Sequence, residues 1–324
     1  MTNVERFGDI AKITLPTPFS VGDVNVYVIK GDRLTLVDAG VKTKASWEAF
    51  VYGLSQLGYT PEDIEQVVLT HHHPDHVGLI DFLSDEVDVI GHPYCAKWLS
   101  WDEEFMKEYI DFLRALYVQL GLPKEMEFRP EQIGAPLKFS CEQAKLTQEV
   151  QEGERLLGLD EWLVYETPGH SQSHVVFFRE KDGVLLAGDH LLATISSNPL
   201  LEPPLIVGEE RPKPQVQYNH SLRKMLQLPI EIAYTGHGAE VKNSHALIHH
   251  RLKRQHERAI SVKGMLKDRA MTAFQVCQQL FPSIYQKETA LTLSETVGQL
   301  DYLQDNGQVE ARLNDEGVLY YFSV

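Results

Sequence analysis

The run His71-His72-His73-Pro74-Asp75-His76 gathers metal-binding chemistry into one short stretch of the chain. It follows the apolar segment Ile64 to Thr70, which reads as a short strand. His71 and His73 are two apart at a strand end, so both imidazoles can point the same way. Pro74 bends the chain, and Asp75 and His76 then present an oxygen and a nitrogen from the first turn of the next helix. Imidazole and carboxylate suit borderline divalent ions such as zinc, and a hydrolytic site must also leave coordination positions open to water. Three further fragments place a ligand type just beyond a strand-like run: Thr167-Pro168-Gly169-His170, Ala187-Gly188-Asp189-His190 and Thr235-Gly236-His237-Gly238. A bound divalent ion brings the pKa of water from about 15.7 to about 7, and two ions can stabilise attacking and leaving atoms together. Hydrolysis at such a site needs neither a serine nor a cysteine nucleophile. Cys95, Cys141 and Cys277 are widely spaced with no CxxC, and form neither a disulfide framework nor a thiolate cage.

This order, HxHxDH and then His, Asp and His at strand ends, resembles the metallo-β-lactamase superfamily over residues from about 10 to 245. Within it the spacing is most similar to the glyoxalase II group, since Gly169 to His174 reads GHSQSH where that group has GHTxGH. The resemblance implies an α/β chain with a four-layer αββα fold and both metals at one edge of the sheet sandwich. It implies that His71, His73 and His170 hold a first metal, that Asp75, His76 and His237 hold a second, and that Asp189 bridges them. Asp75 and Asp189 are then the catalytic carboxylates, and a water or hydroxide between the ions is the nucleophile. The cofactor expected is two divalent ions per chain, zinc first, with iron or manganese as the other candidates.

Departures from relatives in the superfamily narrow the substrate. Quorum-signal lactonases place a tyrosine three residues beyond the bridging aspartate, where this chain has Leu192. Flavodiiron proteins carry glutamate at the second signature histidine, which here is His73. Glyoxalase II binds glutathione with basic residues on C-terminal helices; Arg251, Lys253 and Arg254 are available, but the C-terminal region reads differently.

The neighbouring polar residues have quieter readings. His72 occupies the variable position of the signature, and packing or support of a ligand suits it better than coordination. His174 is expected to hydrogen-bond near the metals, His190 to line the pocket, and Asp38 to orient a ligand histidine or simply to form a turn. His92, His220, His245, His249, His250 and His256 lack mutual ligand spacing.

The elements that must carry these residues alternate. Val24 to Ile29 and Leu34 to Val37 read as strands around the turn Gly31-Asp32, a helix runs from about Lys44 to Leu57 and is closed by Gly58, and another starts at His76 and continues through Leu79 and Phe82. Strands resume at Trp162 to Glu166, Val175 to Arg179 and Val184 to Ala187. A helical insertion over 101–121 places Phe105, Tyr109, Phe112, Leu116 and Leu120 on one face, as a packed helix or as a lid over an acyl pocket. The proline-rich stretch from Asn198 to Gln217 reads as a stiff surface loop. Residues 1–245 form the expected catalytic domain, and 246–324 a linker helix and winged-helix domain. The latter rests on a helix from Ser244 to Lys267, a Thr272/Gln275 capping box, a helix over Ala290 to Asp305, and alternation about the turn Asn314 to Gly317.

Composition bounds the function. With 43% apolar and 23% charged residues the chain is an ordinary globular one, and no apolar run is long enough to cross a bilayer. Glu5, Arg6 and Asp9 stand where a signal peptide needs an apolar stretch, so the expected location is the cytoplasm. The formal charge is −16, and residues 251 to 324 balance nine basic against nine acidic side chains, which argues against nucleic acid as a partner. The expected protein is a dinuclear metal-dependent hydrolase whose metal-bound hydroxide attacks a thioester or other activated small-molecule acyl substrate. The winged helix also resembles the branch holding a lactamase-like mitochondrial endoribonuclease, so an RNA endoribonuclease or phosphodiesterase is one alternative. A low-turnover ligand-sensing protein is another. The C-terminal module could equally pack on the catalytic domain or make a homodimer.

Overall fold

The computed structural model describes residues 4–126, 135–204, 206 and 208–324. Seven strands form one sheet in sequence order: β1 (Val4–Phe7), β2 (Ile10–Leu15), β3 (Val24–Lys30), β4 (Leu34–Val37), β5 (Gln66–Val68), β6 (Asp88–Gly91) and β7 (Gln148–Glu149). Pairing is antiparallel as far as β4 and parallel from there to β7. A second sheet follows the order β12-β11-β10-β9-β8, from β8 (Arg155–Leu156), β9 (Leu159–Glu166), β10 (Val175–Arg179), β11 (Val184–Gly188) and β12 (Ile232–Thr235). Only β11 and β12 run parallel in it.

Strands apolar on both faces require cover on both sides, and side-chain alternation assigns each residue to a layer. In β10, Val175 and Phe177 join Tyr27 and Ile29 of β3 in the core between the sheets, while Val176 and Phe178 face outward. The outer face of the first sheet is covered by α1 (Lys44–Leu57) through Phe50 and Leu54. Thr43 caps that helix by accepting from the Ser46 amide, and Gly58 ends it at φ 88°. The outer face of the second sheet is covered by a helix over Pro214–Met225 through Tyr218, Leu222 and Met225. The four layers are therefore α, β, β, α, as the sequence implied.

Three further helices follow α1: α2 (Pro74–Val77), α3 (Ala96–Leu99) and α4 (Glu103–Gln119). The helix expected to run from His76 through Phe82 stops at Val77. The Leu79 amide donates to Ala39 O and that of Gly78 to Gly40 O, which tucks the chain against the 39–42 loop. A Cβ at Gly78 would meet the Lys42 amide nitrogen at 2.2 Å, so glycine is needed for that approach. The 198–217 stretch is a surface loop only in part, exposed at Ile206 and over 208–210. Pro199, Leu201 and Glu202 are buried, and from Pro214 the chain is already helix α5, the Pro214–Met225 helix above.

The C-terminal elements are α6 (Ser244–Met265), α7 (Ala273–Leu280), α8 (Thr289–Asp305) and the hairpin β13 (Val309–Leu313) with β14 (Leu319–Ser323). The Thr272/Gln275 capping box is present, and Met271 bridges to Tyr321 of β14. These elements share one apolar cluster with Leu113, Leu116 and Tyr117 of α4, and α6 begins in the outer layer of the second sheet at Ile248. The segment is thereby packed into the molecule, with α8 buried along most of its length.

Candidate metal centre

Parallel neighbours end side by side, so β4 beside β5 and β11 beside β12 bring four chain ends to one edge. Asp38 leaves β4, His71 and His73 leave β5, Asp189 leaves β11 and His237 leaves β12. His170 lies on the connection from β9 to β10, and Asp75 and His76 sit in the single turn of α2. The two sheets are joined at this edge: Val175 N donates to Thr70 O, Asn25 N to Gly236 O and the Tyr27 hydroxyl to Thr235 O.

All seven residues expected as metal ligands meet here. The ligand atoms of His71, His73 and His170 lie within 4.8 Å of one another, as do those of Asp75, His76 and His237, and those of His71, His76 and Asp189. Asp189 faces both triads, with one carboxylate oxygen 3.5 Å from His76 Nε2 and the other 3.5 Å from the Nε2 atoms of His170 and His237. A Cβ at Gly236 would lie 2.2 Å from Oδ1 of Asp189, so only glycine leaves room for that carboxylate.

The opposite ring nitrogens are occupied. His71 Nδ1 pairs with the Thr70 hydroxyl at 3.0 Å, His76 Nδ1 with Asp38 at 2.8 Å, His170 Nδ1 with the Asn198 carbonyl at 2.9 Å and His237 Nδ1 with the Asp23 carbonyl at 2.8 Å. Carbonyls and carboxylates only accept, so His76, His170 and His237 must carry a proton on Nδ1, and Nε2 is the nitrogen each has to offer a cation. Asp38 also accepts from Thr70 N and Thr70 Oγ1, each at 2.8 Å, which leaves the Thr70 oxygen to accept from His71. Nε2 of His71, His76, His170 and His237 and Oδ1 of Asp189 are buried with no hydrogen-bond partner among the described residues. Unsatisfied buried atoms of this kind cost about 1–3 kcal/mol each, and their convergence fits divalent cations.

Electrostatics divide the cluster. Burial, reinforced by neighbouring imidazoles, pushes His71 and His73 well below the usual histidine range and keeps them neutral. Burial also lowers His170, against the pull of Asp189. At His76 burial acts downward too, but Asp189, Asp38 and Asp75 outweigh it and raise the group to about 10. His237 is raised by Asp189 and Asp75 against burial, and Asp75 is lowered by His237 and His76 against its own burial. Negative charge is thus concentrated in the half containing Asp75, His76 and His237, and lone-pair nitrogen in the other.

The surrounding residues sort as the geometry dictates. Asp38, at φ 60°, is the orienting group of His76. His72 bonds Ser173 at 2.8 Å and stacks on Trp98 at 4.3 Å, so it packs rather than ligates in the two triads. His174 takes the Asp189 amide on Nε2 at 3.1 Å and pairs with Thr167 through Nδ1. His190 is fully buried beside Tyr218, with neither ring nitrogen partnered among the described residues. Phe105 and Tyr109 of α4 pack on Trp98, which stacks on His72, and Phe112 packs on the C-terminal cluster. His92, His245 and His256 bond Tyr94 N, Leu228 O and the Tyr302 hydroxyl.

Glu202 had no signal in the sequence. It comes from the proline-rich stretch, is 7% exposed, and has ligand-atom spacing with His72 and His73 inside 4.8 Å. Burial pushes its carboxyl up to about 8, with only the Gln172 amide, at 3.2 Å, drawing it back. Asn198 was equally silent, because its contribution is a backbone carbonyl.

The sequence profile of the metallo-β-lactamase superfamily matches residues 20–237. The chain is 47% identical to a probable metallo-hydrolase, YqjP, of Bacillus subtilis, over 91% of this chain and 92% of that one. It is 27% identical to a hydroxyacylglutathione hydrolase of Chelativorans sp., over 59% of this chain and 53% of that one. Among solved structures, the metallo-β-lactamase family protein TTHA1429 of Thermus thermophilus superposes with a TM-score of 0.82 at 26% identity, covering 98% and 99% of the two chains.

Proposed function

The chain belongs to the metallo-β-lactamase superfamily and is a metal-dependent hydrolase, and from that premise we propose a dinuclear enzyme acting on a thioester or similar activated acyl compound. The observation that carries the proposal is the adjoining of His and Asp triads whose Nε2 atoms and Asp189 Oδ1 are buried with no hydrogen-bond partner among the described residues. In this reading His71, His73 and His170 hold one ion, Asp75, His76 and His237 the other, and Asp189 is shared, with zinc as the leading metal. When bound, the ions supply a water ionised near neutral pH and polarise the acyl oxygen. The chain's own part is to fix the ligands. Asp38, Asn198 and Asp23 keep the Nδ1 protons in place, and Asp75 and Asp189 offset the positive charge.

Acyl rather than phosphodiester substrates are favoured by the charge and by what has become of the basic residues. Arg251 is bound to the carbonyls of Leu192 and Ile195, Lys253 and Arg254 pair with Glu257, and Arg258 with Glu295. These cations of α6 already have protein partners, so that helix offers little counterion release to a phosphate backbone. Helix α8, which a nucleic-acid-reading winged helix would place in a groove, is buried along most of its length. The GHSQSH segment and the hydroxyacylglutathione hydrolase among the relatives support the acyl class. We read residues 1–245 as the catalytic domain and 246–324 as a winged-helix segment packed on it. We also assign the enzyme to the cytoplasm: the three cysteines are free and buried, and no helix among the described residues is long and apolar enough to cross a membrane.

The test is turnover of zinc-loaded protein on thioesters, lactones, β-lactams, phosphodiesters and short RNA. Thioester hydrolysis abolished by His73→Ala is expected. RNA cleavage that His73→Ala removes and salt weakens steeply would replace this reading with the ribonuclease.

A further inference from the structure

One segment touches both the shared aspartate and a histidine of the His71, His73 and His170 triad. The Ser197 hydroxyl donates to the Asp189 carbonyl, and the next residue, Asn198, accepts from His170 Nδ1 at 2.9 Å through its carbonyl. Glu202, four residues on, accepts from the Gln172 amide at 3.2 Å. Backbone contacts of this kind orient a ligand only if the segment itself is held.

It is held from outside the catalytic layers, by α8. The Asn198 side chain donates to the Leu291 carbonyl at 3.0 Å, and the Ser294 hydroxyl donates to the Pro199 carbonyl at 2.5 Å. Gly298 sits against Pro199, where a Cβ would come within 3.3 Å of its Cγ. Farther along, Arg211 grips Asp301 through both guanidinium nitrogens at 2.8 and 2.6 Å, and Asp301 is 1% exposed. Leu291, Ser294, Gly298 and Asp301 are three or four residues apart, so they form one stripe of α8, and that stripe faces the segment.

We propose that helix α8 is a positioning element of the metal centre, with Ser294 and the Asn198 side chain as positioning residues that act on His170 through the Asn198 carbonyl. This rests on the dinuclear reading above and adds that the C-terminal segment sets how firmly the His71, His73 and His170 triad keeps its ion. Loosening the clamp frees the His170 ring to rotate about a bond now fixed at Nδ1. The other triad takes its orientation from Asp38 and Asp23, and does not depend on α8.

The experiment compares full-length wild type, Asn198→Ala, Ser294→Ala and their double variant, each loaded with zinc and then challenged with a graded chelator. Zinc per chain is read by elemental analysis, and the melting temperature of the metal-free protein is taken alongside. Loss of a partner that orients a ligand histidine lowers metal affinity about 10- to 100-fold. The double variant should therefore release one of its two ions at about 10- to 100-fold lower chelator while the second ion holds and the metal-free melting temperature stays close to wild type. Asn198 is only partly buried, so Asn198→Ala tests the clamp even if Ser294→Ala folds poorly. Retention of both ions as in wild type overturns the proposal, as does their joint loss in step with a falling metal-free melting temperature. His170→Ala is run beside them. If that variant keeps both ions, the ligand assignment itself fails, a result distinct from failure of the clamp.

Discussion

Replacing Asp38 with Asn changes one oxygen to nitrogen and should disable half the metal centre. Asp38 is 2% exposed and accepts three hydrogen bonds at 2.8 Å, from Thr70 N, Thr70 Oγ1 and His76 Nδ1. Its φ of 60° is a conformation asparagine tolerates, so the backbone should not move, whereas Asp38→Ala would add strain. The asparagine oxygen can still accept from Thr70 N, but its amide then donates toward His76 Nδ1. That nitrogen must become the acceptor, and the proton shifts to Nε2, which faces Asp75 and Asp189. An Nε2–H cannot ligate a cation. Removing the carboxylate also takes away part of the negative charge that raises His76 against its burial, while Asp189 and Asp75 remain. The expected loss is about 10- to 100-fold in affinity for the ion at Asp75, His76 and His237. Stability of the metal-free protein should fall by about 1–3 kcal/mol, since bonds to a charged acceptor are exchanged for bonds to a neutral one. Chelator competition measures the first quantity, chemical denaturation the second, and nitrogen-15 spectra of the imidazoles the tautomer. Two ions bound at wild-type affinity with His76 still protonated on Nδ1 would refute the reasoning.

Three further outcomes are expected. A carboxyl whose pKa is raised by burial contributes its full stability below about 4.5 and has lost it by about 8, so Glu202→Gln should gain on wild type across that window. The gain has a ceiling on the order of 5 kcal/mol, seen as a melting-temperature difference of chelator-treated proteins that widens with pH; a constant difference would mean that Glu202 ionises freely. Gly236→Ala needs no unusual backbone, yet its methyl would press on Asp189 Oδ1 at 2.2 Å and His76 Cε1 at 2.9 Å, so elemental analysis should find less metal in a protein whose circular dichroism is unchanged. Phe105→Ala should lower stability by about 3–5 kcal/mol through the lost packing on Trp98, with the ratio of KM values for long and short acyl chains unaltered; a selective rise for long chains would restore Phe105 to the pocket wall.

The seven residues that converge at the sheet edge were legible from the sequence because each depends on local order: a histidine or aspartate within a few residues of a strand end, and an α-helical turn begun by Pro74. The same holds for the alternating strands, for α1 between Thr43 and Gly58, and for the Thr272/Gln275 cap, all fixed by spacing of a few residues. The partners that orient those side chains were not legible. His237 is oriented by the carbonyl of Asp23, 214 positions away, and His170 by that of Asn198, 28 positions away. A backbone carbonyl has no side-chain signature, so no spacing could mark it. Glu202 and Ser294 are ordinary polar residues until packing buries them against the centre and its supporting segment. Aromatic periodicity over 101–121 stated that one face of α4 is buried, but a helical period is the same whether that face meets a substrate or a core. Sequence therefore determined which groups arrive at the sheet edge. Which proton each histidine keeps, and what holds the ring in place, was decided by contacts that form only when both sheets and the C-terminal helices close on one another.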